Sequence, residues 1–183
     1  MKRIFLLIIT LVVLMPLNVL AETYTIDPSN TTIQFKVRNM LVMNVTGTFE
    51  KFRGTVDIDE TDITRSKADI SIETASINTG IDRRDKDLRS PNFFDVAKFP
   101  VMTFVTTRVE TAAGKLKVTG NLTIKGVTKE VTLTIDDPKR LLDGPKRGAT
   151  ATATINRQDF GVSKGAVISN TVFITVTTEL VKK

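Results

Sequence analysis

The chain has no histidine and no cysteine. The common nucleophile–base pairs and most zinc sites are therefore closed to it. Carboxylates, guanidiniums, amides and aromatics remain. "DIDETD" at Asp57 to Asp62 has an acidic rhythm. It lacks the glycine at the sixth and the glutamate at the twelfth position of a calcium loop, so it reads as a hairpin turn. "INRQDFG" supplies Asn156, Arg157 and Asp159, which suit a turn cap better than catalysis. Arg84 and Asp85 have two readings. Arg84 matches the geometry of a phosphate-bearing ligand, or it pairs with a nearby carboxylate and pins its own segment. Met40 and Met43 flank Asn39 in "NMLVMN". Such thioethers suit a pliable mouth or ordinary packing. Lys139, Arg140, Lys146 and Arg147 read as a solvated face, with attraction to anionic lipid surfaces as the weaker alternative.

Strands must position these groups. "TTIQFKV" sets Ile33, Phe35 and Val37 against Gln34, Lys36 and Arg38. "KADISIET" sets Ala68, Ile70 and Ile72 against Asp69, Ser71 and Glu73. Leu116 and Val118, then Val131, Leu133 and Ile135, keep the period, and "GATATATIN" alternates alanine with threonine. "TVFITVTTEL" sets Val172, Ile174 and Val176 against Thr171, Phe173 and Thr175. Period two over so many runs predicts an antiparallel sheet with one wet face. About eight strands are expected, too many for a flat sheet, which must close on itself. "DDPKRLLDGPKRG" reads as a long loop.

One stretch breaks the alternation. "RRDKDLRSPNFFDVAKFP" packs charge into Arg83 to Ser90 and then places Phe93, Phe94 and Phe99 close together. A short helical insert is expected over residues 82–96, with Ser90-Pro91 as a helix start. At a barrel end it is either a lid touching a ligand or a crossover that closes the core.

Residues 1–21 read as a secretory signal peptide: Lys2 and Arg3, an apolar run to Leu14, Pro16, and cleavage after Ala21. The domain expected is 22–183, with 24 basic against 20 acidic residues. That mild excess does not argue for nucleic acid. Export without cysteine fits a bacterial periplasm.

"TASINTGIDRRDKDLRSPNFFDVAKFPVMTF", "GNLTIKGVTKEVTL", "INRQDFGV" and "VRNMLVMNVTGTFEKFRG" together resemble the YceI-like family of polyisoprenoid-binding proteins. The resemblance spans essentially the whole mature chain. It implies an all-β, lipocalin-like antiparallel barrel, exported and commonly a homodimer. It also implies an apolar interior that holds an isoprenoid or similar amphiphilic lipid, isoprenoid quinones included, as a non-covalent ligand, and no cofactor. Contact with a membrane is peripheral at most. Members often carry a histidine eight residues before the glycine matching Gly47; here that position is Asn39. An amide hydrogen-bonds but does not titrate.

The candidate ligand-binding residues are Phe35, Val37, Asn39, Met40, Phe49, Ile72, Arg84, Phe93, Phe94, Phe99, Phe104, Phe160 and Ile174. Inward Ala68, Ala149, Ala151 and Ala153 leave room for a tunnel, unless Phe35, Phe49 and Phe104 fill it. The alternatives are a filled structural or stress-response barrel, a transmembrane barrel, and a hydrolase using buried carboxylates.

Overall fold

The computed structural model of the chain describes residues 21–39, 43–142 and 147–182. The signal-peptide expectation and Met40 fall outside that range. Among the described residues twelve strands form one antiparallel sheet: β1 (Glu22–Ile26), β2 (Thr31–Asn39), β3 (Met43–Phe49), β4 (Phe52–Ile58), β5 (Lys67–Glu73), β6 (Ile77–Asn78), β7 (Val101–Ala112), β8 (Lys115–Ile124), β9 (Val127–Ile135), β10 (Gly148–Asn156), β11 (Ile168–Glu179) and β12 (Val181–Lys182). Among the described residues the α-helices are α1 (Asp82–Arg89) and α2 (Lys139–Leu142), with short 3-10 turns besides. The count exceeds eight partly because β6 and β12 have two residues each, too few to leave a periodic signal.

The strand order is β12-β1-β4-β5-β7-β8-β9-β10-β11-β2-β3-β6. β1 and β2 are thus eight spacings apart, about 38 Å if the sheet were flat. Yet only Asp27 to Asn30 join them, a reach of at most about 18 Å. Glu50 and Lys51 alone join β3 to β4, again across the order. These two short links force the sheet to curl into a barrel. The first is fixed by the N–H groups of Asn30 and Thr31, which donate to Asp27 O at 3.2 and 2.9 Å.

Alternation sets the two faces. On β2, Ile33 is buried and Phe35 and Val37 are half-buried, while Gln34, Lys36 and Arg38 are exposed. Charge on that outer face opposes a lipid-facing barrel wall. One buried cluster gathers Ile26, Phe49, Phe52, Ile77, Phe93 and Phe104 beneath the insert. Another gathers Tyr24, Ile58, Leu116, Ile135 and Leu141. Leu141 sits on α2, so the segment read as a plain loop carries a helical turn that buries a leucine. Arg147 is also not simply solvated: its Nη1 donates to Tyr24 Oη at 2.7 Å and pairs with Glu60 and Glu22.

The charged run forms α1. Asp82 and Asp85 occupy its first turn, Lys86 and Arg89 its last, each sign complementing the helix dipole. Ser90 ends the helix rather than starting one, its N–H donating to Asp87 O at 3.0 Å. The capping chemistry survives only as a tight turn: Asn92 N–H reaches Ser90 Oγ at 3.3 Å and Phe93 N–H reaches Ser90 O at 3.0 Å. Asp95 then takes a left-handed φ of 51°, which reverses the chain before a second helix can propagate.

Candidate functional site

The barrel interior holds an apolar cavity of about 370 Å³. From β2 it is lined by Phe35, Val37 and Asn39, from β3 by Phe49, and from β5 by Ile72. Arg84 of α1 and Phe93 and Phe94 of the following turns close over it. Phe104 of β7, Phe160 after β10 and Ile174 of β11 complete the set expected from sequence. Phe99 does not join them. Its ring lies over Gly126 in the β8–β9 turn, where an added Cβ would meet Phe99 Cε1 at 2.8 Å. The lysine-aromatic-proline mark at Lys98-Phe99-Pro100 therefore ties the insert to a hairpin and lines no cavity. Met43 stands 61% exposed at the end of β3 opposite Asn39.

The open interior has a physical cause that residue types alone do not show. Phe35 lies against Gly47, its partner across β3, and a Cβ there would meet Phe35 Cζ at 2.5 Å. Phe104 lies against Gly120 in the same way, with its Cζ 2.5 Å from an added Cβ. Each ring occupies the space of an absent side chain. Two of the three phenylalanines that could have filled the barrel are thereby laid along its wall. Ala68, Ala149, Ala151 and Ala153 line the interior as well, and their short side chains leave the remaining volume free.

The insert is fastened by polar bonds centred on Thr79. Arg84 Nε donates to Thr79 Oγ1 at 2.7 Å, and Nη2 to Thr79 O at 2.8 Å. Asp85, 4% exposed, accepts from Thr79 N–H at 3.0 Å and from its hydroxyl. The expected carboxylate partner of Arg84 is thus replaced by a threonine, although the pinning role holds. Arg89 adds bonds to the carbonyls of Ala75 and Ile77.

Arg157 is the residue whose importance the sequence hid. It is 7% exposed and borders the cavity. Its five N–H groups meet five carbonyls: Ser169, Val162, Lys164, Gly165 and Ile168. Burial pushes its pKa down from the ordinary arginine value, and no carboxylate faces it among the described ion pairs. The guanidinium organises the loop into β11 and has no donor left for a ligand. Asn156 caps the preceding turn as expected, accepting from Gln158 N–H at 3.0 Å. The left-handed Gly161 that ends this turn was the available signal that a folded-back loop follows.

Asn39 differs from these groups. Its Oδ1 is buried and accepts no hydrogen bond among the described residues. An unmet buried acceptor costs about 1–3 kcal/mol, and a donor on a bound molecule would recover it.

A YceI-like domain matches residues 24–180 of this chain. The chain belongs to the YceI-like family. It is 36% identical over 154 residues to Protein YceI of Salmonella newport strain SL254, covering 80% of this chain and 79% of that protein. A Campylobacter jejuni YCEI crystal structure is 30% identical, with a TM-score of 0.67 over 78% of this chain and 88% of that one. A polyisoprenoid-binding domain from Saccharophagus degradans shares the fold at 18% identity, with a TM-score of 0.65 over 89% of this chain and 99% of that one. The YceI-like barrel is thus the frame in which the cavity, the insert and the Arg157 loop sit.

Proposed function

We propose that this YceI-like protein binds the apolar chain of an amphiphilic lipid, an isoprenoid or an isoprenoid quinone, inside its barrel, and carries or stores it in the periplasm after export. The observation that carries this reading is the apolar cavity kept open by Phe35 on Gly47 and Phe104 on Gly120. Burying an alkyl chain there gains about 0.8 kcal/mol per CH₂. A prenyl chain therefore needs few polar contacts, in keeping with a lining whose ionisable members among the described residues are Arg84, Asp87 and Arg157. The polyisoprenoid-binding neighbour supports the choice of ligand class. The reading is one of binding without catalysis. Homodimer formation belongs to the same reading and is checked by sedimentation.

Displacement tests it. Purified, delipidated protein is loaded with dansyl-farnesol, and unlabelled polyprenol is titrated in. The reading expects saturable displacement by polyprenol and none by a soluble sugar phosphate. Failure of polyprenol to displace the probe would exclude the isoprenoid assignment.

A further inference from the structure

The barrel wall is stitched unevenly. β8 and β9 pair at nine positions, from Leu116 with Ile135 to Ile124 with Val127. β10 and β11 also pair at nine, from Gly148 with Glu179 to Asn156 with Thr171. Between β9 and β10 the ladder has two pairs, Ile135 with Ala151 and Thr134 with Thr152. Beyond them β9 runs on from Leu133 to Val127, and β10 from Ala153 to Asn156, without partners across the gap. The far end is bridged by a turn and one lysine instead. The turn Arg157–Phe160 packs back on β9, and Lys125 Nζ reaches Gly161 O at 3.3 Å.

The unstitched stretch changes character through the thickness of the wall. Val131, Leu133, Ala153 and Ile155 face the cavity. On the outside, Thr132, Thr134, Thr152, Thr154 and Phe173 line a groove of about 340 Å³. Ala153 and its β11 partner Ile174 border both spaces, so one layer of wall beside the seam separates groove from cavity. Phe173 is 51% exposed beside it. Along the unpaired stretch Thr132, Thr154 and Asn156 are exposed, while Ala153 between them is buried. Parting the seam breaks two residue pairs and frees the Arg157–Phe160 turn from β9, whereas parting either neighbouring ladder breaks nine pairs. The lid end is also harder to open, because Arg84, Asp85 and Arg89 fasten it and Phe93 is 7% exposed.

We propose that the seam between β9 and β10 is the passage by which the lipid's apolar chain crosses the wall. The chain enters sideways, and the threonine hydroxyls outside meet the polar head only while it passes, before it settles in the interior. This inference rests on the lipid reading above. The groove suits an oxygen-rich head: its described lining has hydroxyls and no carboxylate, and Lys117 Nζ already donates to Thr134 Oγ1 at 2.8 Å.

A reversible lock tests the passage, since the chain has no cysteine of its own. Thr134 and Thr152 are direct partners, and opposed antiparallel residues have Cα atoms about 4.5–5.5 Å apart, within disulfide reach. The double variant T134C/T152C is made beside a control, T150C/T177C, which bridges the fully paired β10–β11 ladder. Disulfide closure is verified by intact mass, and stopped-flow rates for dansyl-farnesol are measured oxidised and reduced. Oxidation of the seam pair is expected to slow uptake and release by about tenfold or more, with affinity little changed. Reduction restores the rates, and the control pair has no effect. Equal rates in the oxidised and reduced seam variant, with binding intact, overturn the passage and leave the lipid reading standing. Absence of probe binding by the reduced variants and by the unsubstituted protein overturns both.

Discussion

Phe94 stands edge-on to Phe49, ring centroids 6.2 Å apart and planes at 86°. Phe49 in turn tilts against Phe35 at 5.8 Å and 45°. The contacts link the insert to the barrel wall through three aromatic rings, all of which border the cavity. The break in the alternating pattern is thereby explained. A sheet cannot cap its own end, so a charged helix, wet outside and pinned to Thr79, carries aromatics over the interior.

Phe94→Ala is expected to lower stability by about 3 kcal/mol, near the low end for a buried phenylalanine because the ring is partly buried. If Phe94 touches the lipid, the loss is larger in the lipid-loaded protein. Thermal melts of both proteins, stripped and loaded, provide the check. An identical shift in both states would make Phe94 a packing residue only.

Gly47→Ala places a methyl group where the Phe35 ring lies. The ring and Thr79 Cγ2, 2.8 Å from the added Cβ, must move, and overpacking of this kind costs about 1–3 kcal/mol. Prenyl binding should weaken by more than stability does, because the displaced ring occupies the cavity. Calorimetric affinity and a urea melt, taken together, separate the two effects.

Arg157→Met removes the donors that five carbonyls share. Destabilisation of about 3 kcal/mol or more is expected from the unmet acceptors, with faster amide exchange concentrated at Val162 to Ile168. Hydrogen-exchange mass spectrometry resolves that segment. An unchanged exchange pattern would deny Arg157 its organising role.

Prenyl affinity should be flat between about pH 5.5 and 8, because the chain has no histidine, the side chain that ordinarily switches charge in that window. Asn39→His should introduce an inflection in that window if the ligand's head lies at Asn39. A wild-type inflection, or a flat Asn39→His profile, would count against the placement.

The barrel was legible because alternation is a backbone property: Ile33, Phe35 and Val37 announce their common face by spacing alone. Sheet order was not legible, since it depends on which short links span opposite ends, as Asp27–Asn30 does. Cavity residues on strands were found by the same alternation. Phe99 was misplaced because its turn, set by the left-handed Asp95, directs it to Gly126. Residue types left an open and a filled interior equally available, because the outcome lies in cross-strand contacts, Phe35 with Gly47 and Phe104 beside Gly120, that only the hairpin register sets. Arg157 looked like a turn residue because its five acceptors are backbone carbonyls, which every sequence has.

Native mass spectrometry of the protein purified from its own host, followed by lipid extraction, tests the central claim most directly. The account predicts a bound species that extracts into organic solvent and fragments with the five-carbon spacing of isoprenoids. It also predicts that Gly47→Ala carries less of it. Protein that emerges at its bare polypeptide mass under conditions that retain other lipid complexes would contradict the claim.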